Sequence, residues 1–145
     1  MDIYICKTCG HLMFKEAPDN CPVCKMPKDT FEKNNNIFIE SKENSPEAEV
    51  KHVPSVKIVK TCGLIPEDTC TDVHVRIGEV LHPMTEGHLI TFIDCYVNDV
   101  FAGRKMLTAN SLNPATAFHV KESTGKIRIV ENCNIHGYWM TEEEL

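Results

Sequence analysis

The chain has 145 residues, 42% hydrophobic and 25% charged, with a formal net charge of −6. This composition suits an ordinary globular protein, and the negative balance points away from a nucleic-acid binder, which should carry a basic face. No stretch approaches the roughly 20 apolar residues of a membrane helix, and Met1 to Cys6 lacks the charged and apolar regions of a secretory signal, so a cytoplasmic protein is expected. Eight cysteines in such a chain favour metal binding over a disulfide framework.

Up to Lys33, five lysines balance Asp2, Glu16, Asp19, Asp29 and Glu32, so the whole negative excess lies beyond residue 33. A small anionic substrate must therefore be drawn in by local positive groups, because the global field repels it.

The first segment is dense in cysteine. Cys6-Lys7-Thr8-Cys9 and Cys21-Pro22-Val23-Cys24 are two Cys-x-x-Cys turns separated by 11 residues. Each turn aims two thiolates at one point while backbone N–H groups face the sulfurs, and two such turns complete a tetrahedral sulfur site suited to zinc or iron. A piece of roughly 30 residues cannot bury an adequate core without such help. Tyr4, Phe14 and Phe31 are available for a small aromatic core. The same site would serve folding alone in a zinc ribbon.

Residues 34–49 read as a linker with polar ends, in which Ile37, Phe38 and Ile39 add one edge strand. After Pro54 the pattern is repeatedly extended. Val56 and Ile58 flank Lys57, and Val73, Val75 and Ile77 alternate with His74 and Arg76. Leu89 to Val100 is rich in β-branched and aromatic residues and is broken at Asn98-Asp99. Phe118 to Val120 and Ile127 to Ile129 flank the turn Ser123-Thr124-Gly125-Lys126. Short strands at this spacing indicate an antiparallel sandwich, so the fold class is all-β. No helix beyond a single turn is expected, with Ala109 to Ala115 the one place that could hide one.

The histidines suggest a second metal site. His82 and His88 stand at either side of a short loop, and Cys133 and His136 lie three residues apart in a turn. His52 sits at the entry to the first strand of the sandwich. A lone histidine is more often an ordinary surface or core residue, but together these residues make a nitrogen-rich set with one soft ligand. His11, His74 and His119 fit no such position and read as ordinary. Cys62, Cys70 and Cys95 are left over; Cys62 and Cys70 could pair, with reduced thiols the default in cytosol.

Two resemblances are carried by these residues. Gly10 after the first cysteine pair, Ala17-Pro18 leading into Cys21-Pro22-Val23-Cys24, and Phe31 resemble the rubredoxin-like domain of rubrerythrins, which implies iron and one-electron transfer at Cys6, Cys9, Cys21 and Cys24. Lys25 stands where that pattern prefers glycine. Lys51-His52-Val53-Pro54, Gly78 to Met84 with His88, and Cys133-Asn134-Ile135-His136-Gly137-Tyr138-Trp139 resemble superoxide reductases of the desulfoferrodoxin and neelaredoxin group.

That second resemblance implies an immunoglobulin-like β-sandwich whose loops carry iron. His52, His82, His88 and His136 would be equatorial ligands and Cys133 the axial sulfur, leaving one position for superoxide. Lys51 matches the lysine that attracts the anion. The implied activity is reduction of superoxide to hydrogen peroxide with electrons from an external donor such as rubredoxin, in a homodimer. The family glutamate before that lysine is replaced by Val50. Glu49, one residue earlier, would face away if the segment is extended. The expected division is a metal domain over 1–33, a linker over 34–49 and a sandwich over 50–145. The competing readings are a two-centre iron electron carrier or redox sensor, and a zinc-stabilised module that binds a partner protein.

Overall fold

A computed structural model describes residues 1–145. Strands β1 (Ile3–Cys6), β2 (Leu12–Phe14) and β3 (Phe31–Lys33) form a small sheet in the order β2-β1-β3. Two helices follow, α1 (Ile37–Asn44) and α2 (Glu49–His52). The remaining strands are β4 (Pro54–Val59), β5 (Thr71–Ile77), β6 (Ile90–Val97), β7 (Val100–Met106), β8 (Ala115–Val120), β9 (Lys126–Cys133) and β10 (Gly137–Glu144). They make two antiparallel sheets, β10-β9-β6-β7 and β4-β5-β8, which face each other as the expected immunoglobulin-like sandwich. No helix is long and apolar enough to cross a membrane.

Alternation builds the sandwich interior. Val73, Val75 and Ile77 of β5 meet Ile93, Cys95 and Val97 of β6 and Ile127 and Ile129 of β9. A register shift between Ile90 and Phe92 brings Ile90 into the same core. The break expected at Asn98-Asp99 is a tight hairpin. Both residues have positive φ, 50° and 67°, the combination that a two-residue turn between right-twisted strands demands.

Two expectations for the connecting segment are overturned. Ile37 to Ile39 does not form an edge strand but opens α1, the eight-residue helix. β-propensity yields here to packing. Ile37 and Ser41, one helical turn apart, are both buried, whereas Ile39 is left exposed. Ser41 Oγ accepts the Tyr138 amide at 2.9 Å and donates to the Ile37 carbonyl at 3.1 Å, fastening α1 to β10. The second correction is that Glu49 to His52 is helical, not extended. Ala109 to Ala115 contains only turns before β8 begins.

The four-stranded sheet is covered on both faces. Its outer face carries Tyr96 and Val130, which pack with Ile3, Leu12 and Phe14 of the small sheet and Ile37 of α1. Of the aromatic trio expected to fill the small sheet, Phe14 is fully buried and points into this junction, while Tyr4 and Phe31 are half-buried. Tyr96 donates its hydroxyl to the Leu12 carbonyl, and Tyr138 donates to the Gly10 carbonyl at 2.6 Å. The Arg128 guanidinium lies over the Phe14 ring, 4.1 Å from its centroid.

Asp94 is fully buried in that junction. Arg104 of β7 grips it with Nε at 2.6 Å from Oδ1 and a terminal nitrogen at 2.9 Å from Oδ2, and His11 Nδ1 lies 2.9 Å from Oδ2. Removing one partner of a buried pair leaves an uncompensated charge. Arg104→Met is therefore expected to lower unfolding free energy by about 3–5 kcal/mol in urea titrations. A loss below about 1 kcal/mol, the range of exposed pairs, would show that Asp94 does not depend on Arg104.

Candidate metal centres

The two cysteine turns fold alike. In the first, the Gly10 amide donates to the Cys6 carbonyl and the Cys6 amide to the His11 carbonyl, each at 2.8 Å. In the second, the Lys25 amide donates to Cys21 at 2.9 Å and the Cys21 amide to Met26 at 2.8 Å. Gly10 and Lys25 occupy equivalent left-handed positions, φ 78° and 67°. A side chain at Gly10 would meet the Tyr138 hydroxyl oxygen at 2.7 Å, so glycine is required there, whereas Lys25 faces solvent and bears only the backbone cost.

Sulfurs of Cys6 and Cys24, and of Cys9 and Cys21, lie 3.6 Å apart, close to the ~3.7 Å edge of a tetrahedron with metal–sulfur bonds near ~2.3 Å. Burial pushes the Cys9 and Cys21 thiols up, while the Met26 amide pulls Cys24 down to about 7. A cation displaces these protons and holds all four as thiolates.

The second cluster is assembled from α2, the loop after β5 and the β9–β10 turn. His52, His88, Cys133 and His136 place their ligand atoms within 4.8 Å of one another. His82 completes the group, with Nε2 at 3.1 Å from His52 Nε2 and 3.5 Å from Cys133 Sγ. Adjacent nitrogens around one ion are expected ~3 Å apart when metal–nitrogen bonds are near ~2.1 Å.

The four rings form a square. Neighbouring centroids are 4.5 Å (His52–His82), 4.6 Å (His82–His88), 5.0 Å (His88–His136) and 4.9 Å (His136–His52), with His52 and His88 opposed at 6.3 Å. Successive planes turn by 66° to 81°, which keeps the rings from colliding edge to edge. Cys133 is buried, with Sγ 3.8 Å from His136 Nδ1. His52 and His82 are buried, whereas His88 and His136 are half-buried and bring the cluster to the surface.

The outward nitrogens of two rings are held as the chemistry requires. Nδ1 of His52 donates to the Ala48 carbonyl at 2.7 Å, and Nδ1 of His82 to the Pro83 carbonyl at 2.6 Å, so each Nε2 is the lone-pair nitrogen facing inward. Burial pushes His82 down to about 4, and it lowers His52 and His88 as well. Neutral imidazoles are the form that ligates. His88 Nε2 is buried without a hydrogen-bond partner. An orphaned imidazole nitrogen beside three other rings and a thiol fits a cation and little else.

Packing fixes these parts. Gly78 has φ 87°, and a Cβ there would lie 2.7 Å from the Lys51 carbonyl oxygen and 2.2 Å from that of Val80. The Val80 amide donates to the Val50 carbonyl at 3.2 Å and the His82 amide to Ile77 at 3.1 Å, so the loop bearing His82 lies directly on α2. Gly137 has φ 79°, and a Cβ there would lie 2.6 Å from Ser41 Oγ. Buried Trp139 donates Nε1–H to the His136 carbonyl at 3.1 Å and packs 5.2 Å from the His52 ring. Lys51 is exposed, and its charge reaches both His52 and His88. Glu49 is tied to Lys42 at 3.3 Å on the surface.

Two histidines read as ordinary are not. His11 is fully buried against Asp94, and His119 lies 2.7 Å from Asp72 and 3.4 Å from Cys62 Sγ. His74 is exposed, with Nε2 3.8 Å from Asp72 Oδ2, and Cys95 is a core residue of β6. Glu131, two residues before Cys133, was missed. It is buried with both carboxylate oxygens unpartnered, and burial holds its pKa well above the usual range. Its only sign in the sequence is an acid in step with Ile127, Ile129 and Cys133 at alternate positions, whereas Asp94 is a lone acid inside an apolar run.

Fold and sites define a metalloprotein with a tetracysteine module packed on an immunoglobulin-like sandwich that presents a histidine–cysteine cluster. Residues 44–142 match the desulfoferrodoxin family model, and residues 4–32 match the rubredoxin-like domain of rubrerythrin. The chain belongs to the desulfoferrodoxin family. It is 31% identical over 140 residues to a desulfoferrodoxin homolog of Methanothermobacter thermautotrophicus, covering 94% of each chain. It is 31% identical over 106 residues to a superoxide reductase of Pyrococcus abyssi, covering 66% of this chain and 87% of that one. Among solved structures, a variant of the superoxide reductase (neelaredoxin) of Archaeoglobus fulgidus in the reduced form matches with a TM-score of 0.55 at 28% identity, over 68% of this chain and 91% of that one.

Gly78→Ala is expected to push the His82 loop off α2 and weaken metal retention at the histidine–cysteine cluster by roughly 10–100-fold, the cost typical of losing an outer support. Chelator competition, with tetracysteine occupancy unchanged, checks this.

Proposed function

We propose that His52, His82, His88, His136 and Cys133 hold iron and that the protein is an enzyme reducing superoxide to hydrogen peroxide. The observation that carries the reading is the square of imidazoles with a buried, partnerless His88 nitrogen, beside a thiol and at the protein surface. Bound there, iron supplies one-electron chemistry: superoxide takes up an electron and two protons and leaves as hydrogen peroxide, and an external donor such as rubredoxin replaces the electron.

The protein's own groups do the rest. His52, His82, His88 and His136 would hold the ion through ring nitrogens and Cys133 through its thiolate, and the half-buried side at His88 and His136 gives substrate its approach. The Cys133 thiolate would donate electron density to an ion held there. Lys51 offers a compact positive charge against the negative field of the chain, drawing the anion towards the exposed side of the cluster. With Val50 in place of a glutamate and Glu49 engaged by Lys42, no carboxylate from this segment closes the site.

Cys6, Cys9, Cys21 and Cys24 hold a second metal in this reading, iron or zinc, in a module over 1–33. Residues 34–49 connect it to a catalytic domain over 50–145, and two copies assemble as a homodimer.

Anaerobic pulse radiolysis of the iron-loaded protein is expected to show a fast second-order reaction with superoxide. Absence of that reaction in fully loaded protein leaves only an electron carrier or sensor. Lys51→Met is expected to slow the reaction about tenfold, the lower end of electrostatic steering, and to flatten its dependence on ionic strength. Cys9→Ser is expected to empty the tetracysteine site while the superoxide reaction persists. Loss of both centres together would contradict their independence.

A further inference from the structure

At the end of the sandwich remote from His52, four side chains with no part in the reading above converge. Asp72 and His119 are directly opposed across β5 and β8, and both point away from the core. His119 Nδ1 lies 2.7 Å from Asp72 Oδ1 and 3.4 Å from Cys62 Sγ. Cys70 Sγ lies 3.9 Å from that nitrogen and 3.7 Å from Asp72 Oδ1. All four ligand atoms fall within 4.8 Å of one another. Tetrahedral zinc with bonds near ~2.3 Å to sulfur and ~2.0 Å to nitrogen or oxygen separates sulfur from those atoms by ~3.5 Å.

Burial isolates the two cysteines. In the segment from Thr61 to Cys70, only Cys62 and Cys70 are buried, and every residue between them is exposed. Neither belongs to an apolar cluster; on the outer face of β5 and β8 their sulfurs meet a carboxylate and an imidazole.

The backbone around Cys62 repeats a local design seen at both other centres. The amides of Leu64 and Ile65, two and three residues on, are directed at Cys62 Sγ. The amides of Val23 and Cys24 serve Cys21, and those of Ile135 and His136 serve Cys133, at the same offsets. Such amides stabilise a thiolate and are the feature that makes a cysteine turn a ligand.

We propose that Cys62, Cys70, Asp72 and His119 form a third metal site, a structural zinc site that clasps the β4–β5 connection to the outer face of β8. Two thiolates, an imidazole and a carboxylate form a closed tetrahedral set for a borderline-soft divalent cation, and binding releases the thiol protons to solvent. Strand β4 runs the six residues from Pro54, beside His52, to Val59, near Cys62, so the two sites lie roughly 20 Å apart. The zinc therefore supports the fold and takes no part in reduction.

The full-length protein, iron-loaded and kept anaerobic, is equilibrated with zinc chloride alone, and its metals are counted by plasma mass spectrometry beside an intact mass. Wild type is expected to hold one more zinc than Cys62→Ser/Cys70→Ser, with iron content and superoxide reaction equal in the two. His119→Gln, on the partly exposed strand face, keeps the fold if the double variant does not. It is expected to weaken this zinc by more than the roughly 10–100-fold that loss of an outer partner costs. Chelation is expected to open the 61–69 loop to protease in wild type. Equal zinc content in wild type and variants, or an anaerobic mass showing a Cys62–Cys70 disulfide, overturns the proposal.

Discussion

Asp94 carries a carboxylate into a place closed to solvent, and the surrounding structure answers that charge. Unpaired, it would cost several kcal/mol. Arg104 meets it from the neighbouring strand and His11 from the metal module, so one buried group holds together parts of the chain 83 residues apart. Around it the outer face of the four-stranded sheet is dry, closed by Leu12, Phe14 and Ile37. The module thus replaces the solvent that would otherwise wet that face, and the sheet becomes the middle layer of three.

This arrangement explains what was legible in the sequence and what was not. Strand β5 alternates buried and exposed residues, because one of its faces is wet, and its period reads directly. Strands β6 and β9 are buried almost throughout, so their pattern marks strands without saying what lies on the second face. The polar ends of residues 34–49 suggested a tether. That Ile37 seats against Tyr96 and Val130 depends on contacts remote in sequence, so a helix formed where local propensity favoured a strand. Asp94 inside an apolar run, and Glu131 in step with Ile127, Ile129 and Cys133, are the available hints that those strands carry more than packing.

The metal-ligand candidates were the most legible part. Thiols and imidazoles at short spacings announce a site because few other uses require them. The sequence leaves unstated how far each loop is braced. Gly78 and Gly137 both take left-handed backbone with no room for a side chain, one against the Lys51 carbonyl and the other against Ser41. These contacts set where His82 and His136 sit. His119, Cys62 and Cys70 do not read as one group because their spacing is irregular: strand pairing, not a turn, brings Asp72 opposite His119.

The Tyr138 hydroxyl, bonded to the carbonyl next to Cys9 while its backbone lies two residues from His136, has a kinetic meaning. Modules joined by a flexible string meet at a frequency set by the string, and lengthening it dilutes one against the other. Here the partners are already seated, so their separation is a property of a packed interior and does not fluctuate with chain length. Were both sites to hold iron, electron exchange between them would proceed as it does within one rigid body, insensitive to solvent viscosity.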